Sequence, residues 1–218
     1  MSAQFPNGTL LSVSTAFAAA ITVTAVTNAA PPVASAAEPP EAGAILVLNS
    51  GWTDVNERIV RSLDPDSDGT FKLEGIDTTN IARFPAGVGV GSVVPVTTWV
   101  QLSQVREMSK TGGDQQFFTW QYLEDRSGRQ RQRPTFKNAK SINLTLDYDP
   151  ALAWYEALSQ ADAVKTPVVM RAVLPNGAEL YYYVYPSFDA DPSSTLNENM
   201  TNTATFSMIS DLTRFEAA

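Results

Sequence analysis

Cysteine and histidine are both absent from the 218-residue chain. Without thiols there is no disulfide scaffold and no thiolate metal site, and the redox compartment stays open. Without imidazole, Ser-His-Asp catalysis and histidine-ligated zinc hydrolysis are excluded. Charge is scarce too: charged residues make up 17% of the chain, where about a quarter is usual. Basic residues are the scarcer kind, 15 against 23 acids, for a net charge of −8. That balance argues against a protein that holds nucleic acid by neutralising phosphates. The first charged side chain is Glu38, which leaves residues 10–30 as a neutral run long enough to cross a bilayer. Its many Ser and Thr residues, the lack of a basic residue before it and Pro31-Pro32 after it favour two strands, GTLLSVST and AITVTAVT, over a membrane span or signal peptide.

What is present is hydrophobic alternation with a period of two. Short runs such as AILVLN, ERIVRSL, TFKLEGI and VVPVTTWVQLSQV are separated by turn-forming NSGWTD, DPDSDG and FPAGVGVGS, the spacing of a sandwich or barrel. QQFFTWQYLED places Phe118, Trp120 and Tyr122 on one face and Phe117, Thr119 and Gln121 on the other, one face core and the other wet. KSINLTLDYD sends Ile142, Leu144, Leu146 and Tyr148 inward and Ser141, Asn143, Thr145 and Asp147 outward. DPALAWYEALSQADA predicts the one helix, with Asp149 as N-cap, Pro150 at the first helical position and an apolar stripe of Ala151, Trp154, Tyr155, Leu158 and Ala161. PVVMRAVL and ELYYYVYP form a hairpin across Pro175-Asn176-Gly177. In the last strand, TNTATFSMISDL, Ala204, Phe206 and Met208 oppose Thr203, Thr205 and Ser207. The expectation is a mainly β, sandwich- or barrel-like single domain over residues 1–218 with one flanking helix. A Pro- and Ala-rich loop or arm around 28–43 is long enough to contact something outside the subunit.

Three constellations are candidate sites. Asp64, Asp66, Asp68 and Gly69 occupy positions 1, 3, 5 and 6 of a calcium loop. Position 12 is Gly75, however, Glu74 arrives one residue early, and the flanks alternate like strands. An acidic hairpin turn is therefore the plainer reading, with the three aspartates kept as weak metal candidates. RSGRQRQRPTFKNAK carries Arg126, Arg129, Arg131, Arg133, Lys137 and Lys140 without an acid. It reads as a solvated loop or as a loop that meets an acidic patch on an identical neighbour. Glu74, Asp77, Glu124 and Asp125 offer carboxylates of the kind glycosidases pair, but nothing in the sequence brings them together. No catalytic residue and no cofactor is expected.

The run NGTLLSVSTAFAAAITVTAVTNAAPP, then SGWTDVNERIVR, then FKLEGIDTTNIARFPAGVGVGSVVPVTTWVQLSQV resembles the major tail tube proteins of long-tailed bacteriophages, most clearly over residues 7–105. The resemblance implies a structural virion protein, not an enzyme, assembled in the host cytoplasm and placed in the tail. Six copies would close into a ring and rings would stack into a hollow tube. DNA would pass down the channel without specific binding, and no membrane is involved. Its partners would be itself, a tail terminator, a tape measure protein and distal tail or baseplate proteins. Within that picture the Arg126–Lys140 stretch and the segment with Pro31, Pro32, Pro39 and Pro40 are expected to meet other subunits. Ser141, Asn143 and Thr145, or Thr203, Thr205 and Ser207, are expected to face the channel. A secreted or surface-displayed β-sandwich binding module, calcium-dependent through the aspartate loop, is the alternative from another class.

Overall fold

Strands dominate the protein because apolar residues recur at every second position through most of the chain. The structure, a computed structural model, describes residues 7–217. Its first half holds β1 (Leu10–Phe17), β2 (Ile21–Val26), β3 (Val33–Ala36), β4 (Ile45–Ser50), β5 (Arg58–Leu63), β6 (Thr70–Glu74) and β7 (Gly91–Leu102). There follow β8 (Val105–Gly112), β9 (Gln115–Trp120), β10 (Arg131–Lys137) and β11 (Lys140–Asp147). After α1 (Ala153–Val164) come β12 (Val168–Val173), β13 (Glu179–Ser193), β14 (Thr201–Met208) and β15 (Thr213–Phe215).

The strands β2-β3-β6-β5-β4-β7 close into a six-stranded barrel through a pairing between β2 and β7. The long strand β7 belongs to two structures at once. Gly91–Pro95 pairs with β2 and β4 in the barrel, whereas Val96–Leu102 pairs with β1. From there an open sheet runs β7-β1-β12-β13-β14-β11-β8, with β15 on β13. One core fills the barrel, with Leu46, Val60, Phe71, Leu73 and Val93 almost completely buried. A second lies between one face of the open sheet and α1, around Ile142, Leu144, Trp154, Leu158, Met170 and Phe206. The third joins the outside of the barrel (Ile45, Val47, Ile59) to the other sheet face (Val169, Tyr181, Phe215). Burial pushes the Tyr181 phenol pKa well up, helped by Glu179, whose carboxylate accepts its hydroxyl proton at 2.9 Å.

Several expectations need correction. The Pro/Ala-rich stretch is not a free arm through its middle: β3 is a barrel strand paired with β2 and β6, and Ala34 and Ala36 are buried. Alanine carries too little hydrophobicity to announce a strand, yet its small side chain fits the interior of a narrow barrel. The basic stretch is not a loop throughout, because Arg131–Lys137 is β10, paired with β9 in a separate two-stranded hairpin. Neither face of that hairpin is core, since Phe117 and Phe118 are both exposed. Tyr148 lies past the end of β11 and is exposed rather than inward. At the helix, Asp149 caps a preceding turn by accepting the Ala151 N–H at 3.1 Å. The N-cap position falls to Leu152, without a side-chain bond, and the buried stripe begins at Trp154. The short strand β15 was not legible, being only three residues long.

Candidate assembly surfaces and channel face

The acidic turn joins β5 to β6, two neighbouring antiparallel barrel strands. Asp66 organises it. One carboxylate oxygen accepts the N–H groups of Asp68 (3.0 Å) and Thr70 (2.9 Å), and the other accepts the Thr70 hydroxyl at 2.7 Å. Those bonds, the Thr70 N–H first, hold the Asp66 pKa below its usual value. Asp64 pairs with Lys72 at 2.7 Å. Asp66 thus shapes the turn and Asp64 pairs with a strand lysine, while Asp68 contributes its N–H, and among the described residues no cluster of three or more acids converges to hold a metal. The carboxylates considered for paired chemistry stay apart in their roles. Glu74 pairs with Arg61 at 2.6 Å and Asp77 caps Thr79. Asp125 caps Ser127 at the tip of the β9–β10 hairpin.

That hairpin carries the basic set. Arg126 and Arg129 lie in its tip, Arg131, Arg133 and Lys137 on β10, and Lys140 opens β11. Every residue of β10 is exposed. Arg131 lies 3.5 Å from Asp125 and stacks its guanidinium over the Tyr122 ring, and Lys140 lies 3.8 Å from Asp211. Interleaved with these cations are exposed apolar side chains: Phe117, Phe118, Tyr122, Leu123 and Phe136. Phe118 and Trp120 stack with centroids 5.9 Å apart. The sequence reading missed this apolar surface by assigning one face of FFTWQY to a core. The adjacent pair Phe117-Phe118 was the available signal, because two neighbouring strand residues cannot share one face. Pro134 sits in β10, where an edge strand tolerates a missing N–H.

The prolines fall at both ends of the barrel. Pro31 and Pro32 lie in the β2–β3 connection, Pro39 and Pro40 in the β3–β4 connection. Pro31 is exposed and Pro39 half-buried, whereas Pro32 and Pro40 are buried in their own chain. The Pro32 carbonyl accepts the Leu73 N–H at 2.9 Å, which makes it part of the barrel wall.

The two polar sets considered for the channel turn out to be neighbours. In the register of β11 with β14, Ser141 opposes Ser207, Asn143 opposes Thr205 and Thr145 opposes Thr203. The Thr205 hydroxyl donates to Asn143 Oδ1 at 3.1 Å. The rows continue onto β8 through Thr111, Ser109 and Glu107, and onto β13 through Tyr185, Ser187 and Asp189. The result is one face across four hydrogen-bonded strands, made of neutral polar groups with Glu107 and Asp189 in these rows, and bounded at the far end of β11 by an ion pair between Asp147 and Arg106. Behind it stands the core that α1 covers.

Residues 50–217 match the family model described as Phage tail tube protein, TTP. No curated protein sequence matches the chain. Among solved structures, a chain of the virion of a native gene transfer agent particle is similar at 12% identity and a TM-score of 0.41, covering 54% of this chain and 88% of that one. A chain in the tail of an empty gene transfer agent particle, refined helically with C6 symmetry, is similar at 11% identity and a TM-score of 0.42, covering 56% and 88%. A chain of the cap that terminates the anti-feeding prophage tube shows 21% identity and a TM-score of 0.33, covering 50% and 79%. With the family model spanning most of its length, this chain belongs to the phage tail tube protein family and is a structural protein of the virion tail.

Proposed function

We propose that six copies of the chain close into a ring, that rings stack into a tube, and that the four-strand polar face lines the channel through which DNA passes. The observation that carries this reading is the composition of that face. Ser, Thr and Asn keep water at the wall, Glu107 and Asp189 repel phosphate, and Arg106 at the margin of the face is neutralised by Asp147. The outer edge of β8, which among the described residues pairs only with β11, favours the same picture. An unpaired edge is an aggregation hazard unless a partner covers it, and a ring of identical copies supplies one. The subunit acts by shape and charge and not by catalysis. The β9–β10 hairpin and the exposed parts of the segment 28–43 are its contacts with other subunits. Its further partners are a tape measure protein inside the tube and terminating and distal tail proteins at the two ends. The whole chain acts as one tail-tube domain.

The absence of cysteine makes the test clean. Ser207→Cys, on the polar face, and Ala163→Cys, on the exposed side of α1, give single thiols. In free subunits both should react with a bulky maleimide. In tubes confirmed by negative-stain microscopy, Ser207→Cys should be protected and Ala163→Cys should still react. Equal reactivity of Ser207→Cys in free and assembled protein would remove the polar face from the channel.

A further inference from the structure

One end of the barrel carries exposed, unpaired acids, and the other carries cations mixed with acids. At one end lie the β3–β4 connection and the acidic turn, bound together by the Ala36 N–H to Gly69 carbonyl bond at 2.8 Å. Glu38, Glu41 and Asp68 project there without an ion-pair partner among the described residues. At the other end the β4–β5 connection meets the base of the β9–β10 hairpin around an open cleft of about 320 Å³. Arg58, Lys137 and Lys140 line it.

Two features of the cleft point to a missing anion. Arg58 and Lys137 have no carboxylate partner among the described residues; of the acids at this end Asp54 is engaged with Arg83 at 2.7 Å and Asp211 loosely with Lys140, while Glu57 and Asp114 flank the lining without an ion pair. In addition, the Arg58 Nε and the Ser210 hydroxyl, on residues of the lining, are buried without a hydrogen-bond partner, so an acceptor reaches them only if the lining shifts. A carboxylate accepts from a guanidinium and a hydroxyl together, and such charge-assisted bonds are the strong kind. Buried donors left unmade are costly, so an acceptor that reached them through such a shift would gain more than at an open surface.

We propose that this cleft receives the acidic barrel end, around Glu38, Glu41 and Asp68, of a second copy of the chain. The two surfaces sit at opposite ends of β5, which begins at Arg58 and ends at Leu63, next to the turn. At about 3.3 Å per residue they are separated by roughly the length of one strand. Antiparallel copies side by side would pair both patches in a closed two-fold dimer, whereas copies stacked end to end use one patch of each. The second arrangement gives a head-to-tail contact that repeats from copy to copy, the open contact that stacking requires.

The inference rests on the tube-forming reading, and charge exchange separates the two. One variant carries Lys137→Glu and Lys140→Glu, a second carries Glu38→Lys, Glu41→Lys and Asp68→Lys, and a third carries all five. Each reversed surface alone should raise the protein concentration needed for tube growth at least about tenfold at an ionic strength on the order of 0.1 M. The combined variant should recover much of the loss. If the wild-type chain forms neither rings nor tubes, the tube reading itself fails and takes this contact with it. Should wild type form tubes and the reversed variants match it, or the combined variant assemble no better than either, only the contact is overturned. All the substituted side chains lie outside the cores. If any reversal nevertheless lowers the thermal midpoint, Lys137→Gln and Asp68→Asn decide by the same readout, with a wild-type assembly concentration counting against the contact.

Discussion

Two hairpins of this molecule look alike in outline and differ in nearly everything that holds them. β5–β6 is built into the barrel, with Ile59, Val60, Phe71 and Leu73 buried on either side of its turn. The β9–β10 hairpin stands alone as a two-stranded sheet, and β10 buries nothing. An isolated hairpin is marginal in water. The first therefore derives its shape from the interior of its own chain. The second carries aromatic residues that the chain leaves uncovered, which is the composition of a surface completed by a partner.

The largest expected effect tests the embedded half of that contrast. Phe71→Ala empties a fully buried site at the centre of the barrel, and a large aromatic lost from a core costs about 3–5 kcal/mol. Chemical denaturation of the soluble subunit measures it. A loss under about 1 kcal/mol would mean that the barrel repacks and that the hairpin is less firmly embedded than its burial implies.

The turn glycines sharpen the comparison. Gly69 and Gly128 both have positive φ, at 81° and 67°. A side chain costs about 1–2 kcal/mol in that region at either position. At Gly69, however, a Cβ would also come within 2.5 Å of the Ala36 carbonyl oxygen, while at Gly128 it would meet nothing. Gly69→Ala should therefore destabilise the subunit clearly more than Gly128→Ala, whose effect stays in a tip with no core behind it. Equal denaturation midpoints would show that the close approach at Gly69 relaxes freely.

Replacing Phe117, Phe118 and Phe136 together by serine should leave subunit stability within about 0.5 kcal/mol, as for ordinary surface changes. Assembly should fall sharply while folding stays intact. If instead the melting transition drops with assembly unchanged, the hairpin packs on its own subunit and its apolar residues are not kept for a neighbour.

Legibility in the sequence followed the same divide. Where a strand has one face in a core, alternation identified it: β11 and β14 were readable residue by residue, and their apolar partners Ile142, Leu144, Ala204 and Phe206 are buried. That Ser141 and Thr203 lie on one continuous face was not readable, because register between strands far apart in sequence is fixed by packing and not by either strand alone. Alternation failed in β3, where Ala and Ser differ too little in polarity, and in β9, where the aromatic pattern serves a surface. The opposite charges of 64–68 and 126–140 were visible as composition. That the acidic turn and the base of the basic hairpin, Lys137 and Lys140, lie at opposite ends of the barrel depends on the strand order β6-β5-β4-β7, which no local pattern encodes.

The smallest effect concerns acid. Asp66 and Asp125 both cap their own hairpin turns, and both have pKa values held below the usual carboxylate range. For Asp66 the cause is chiefly the Thr70 N–H and hydroxyl, and for Asp125 chiefly the Ser127 side chain and N–H. A carboxyl group with a lowered folded-state pKa stabilises fully above its unfolded value, near 3.8. That contribution is lost as the pH falls through the lower folded value. Asp66→Asn keeps an acceptor oxygen but removes the titrating charge, so stability should be slightly lower at neutral pH and its decline toward acid shallower than in the wild type. Asp125→Asn should leave the whole-subunit acid profile as it is, because the tip it caps is tied to no core. Denaturation midpoints followed from pH 7 to pH 3 distinguish the two, and matching profiles for both variants would put the β5–β6 turn on the same footing as the free-standing hairpin.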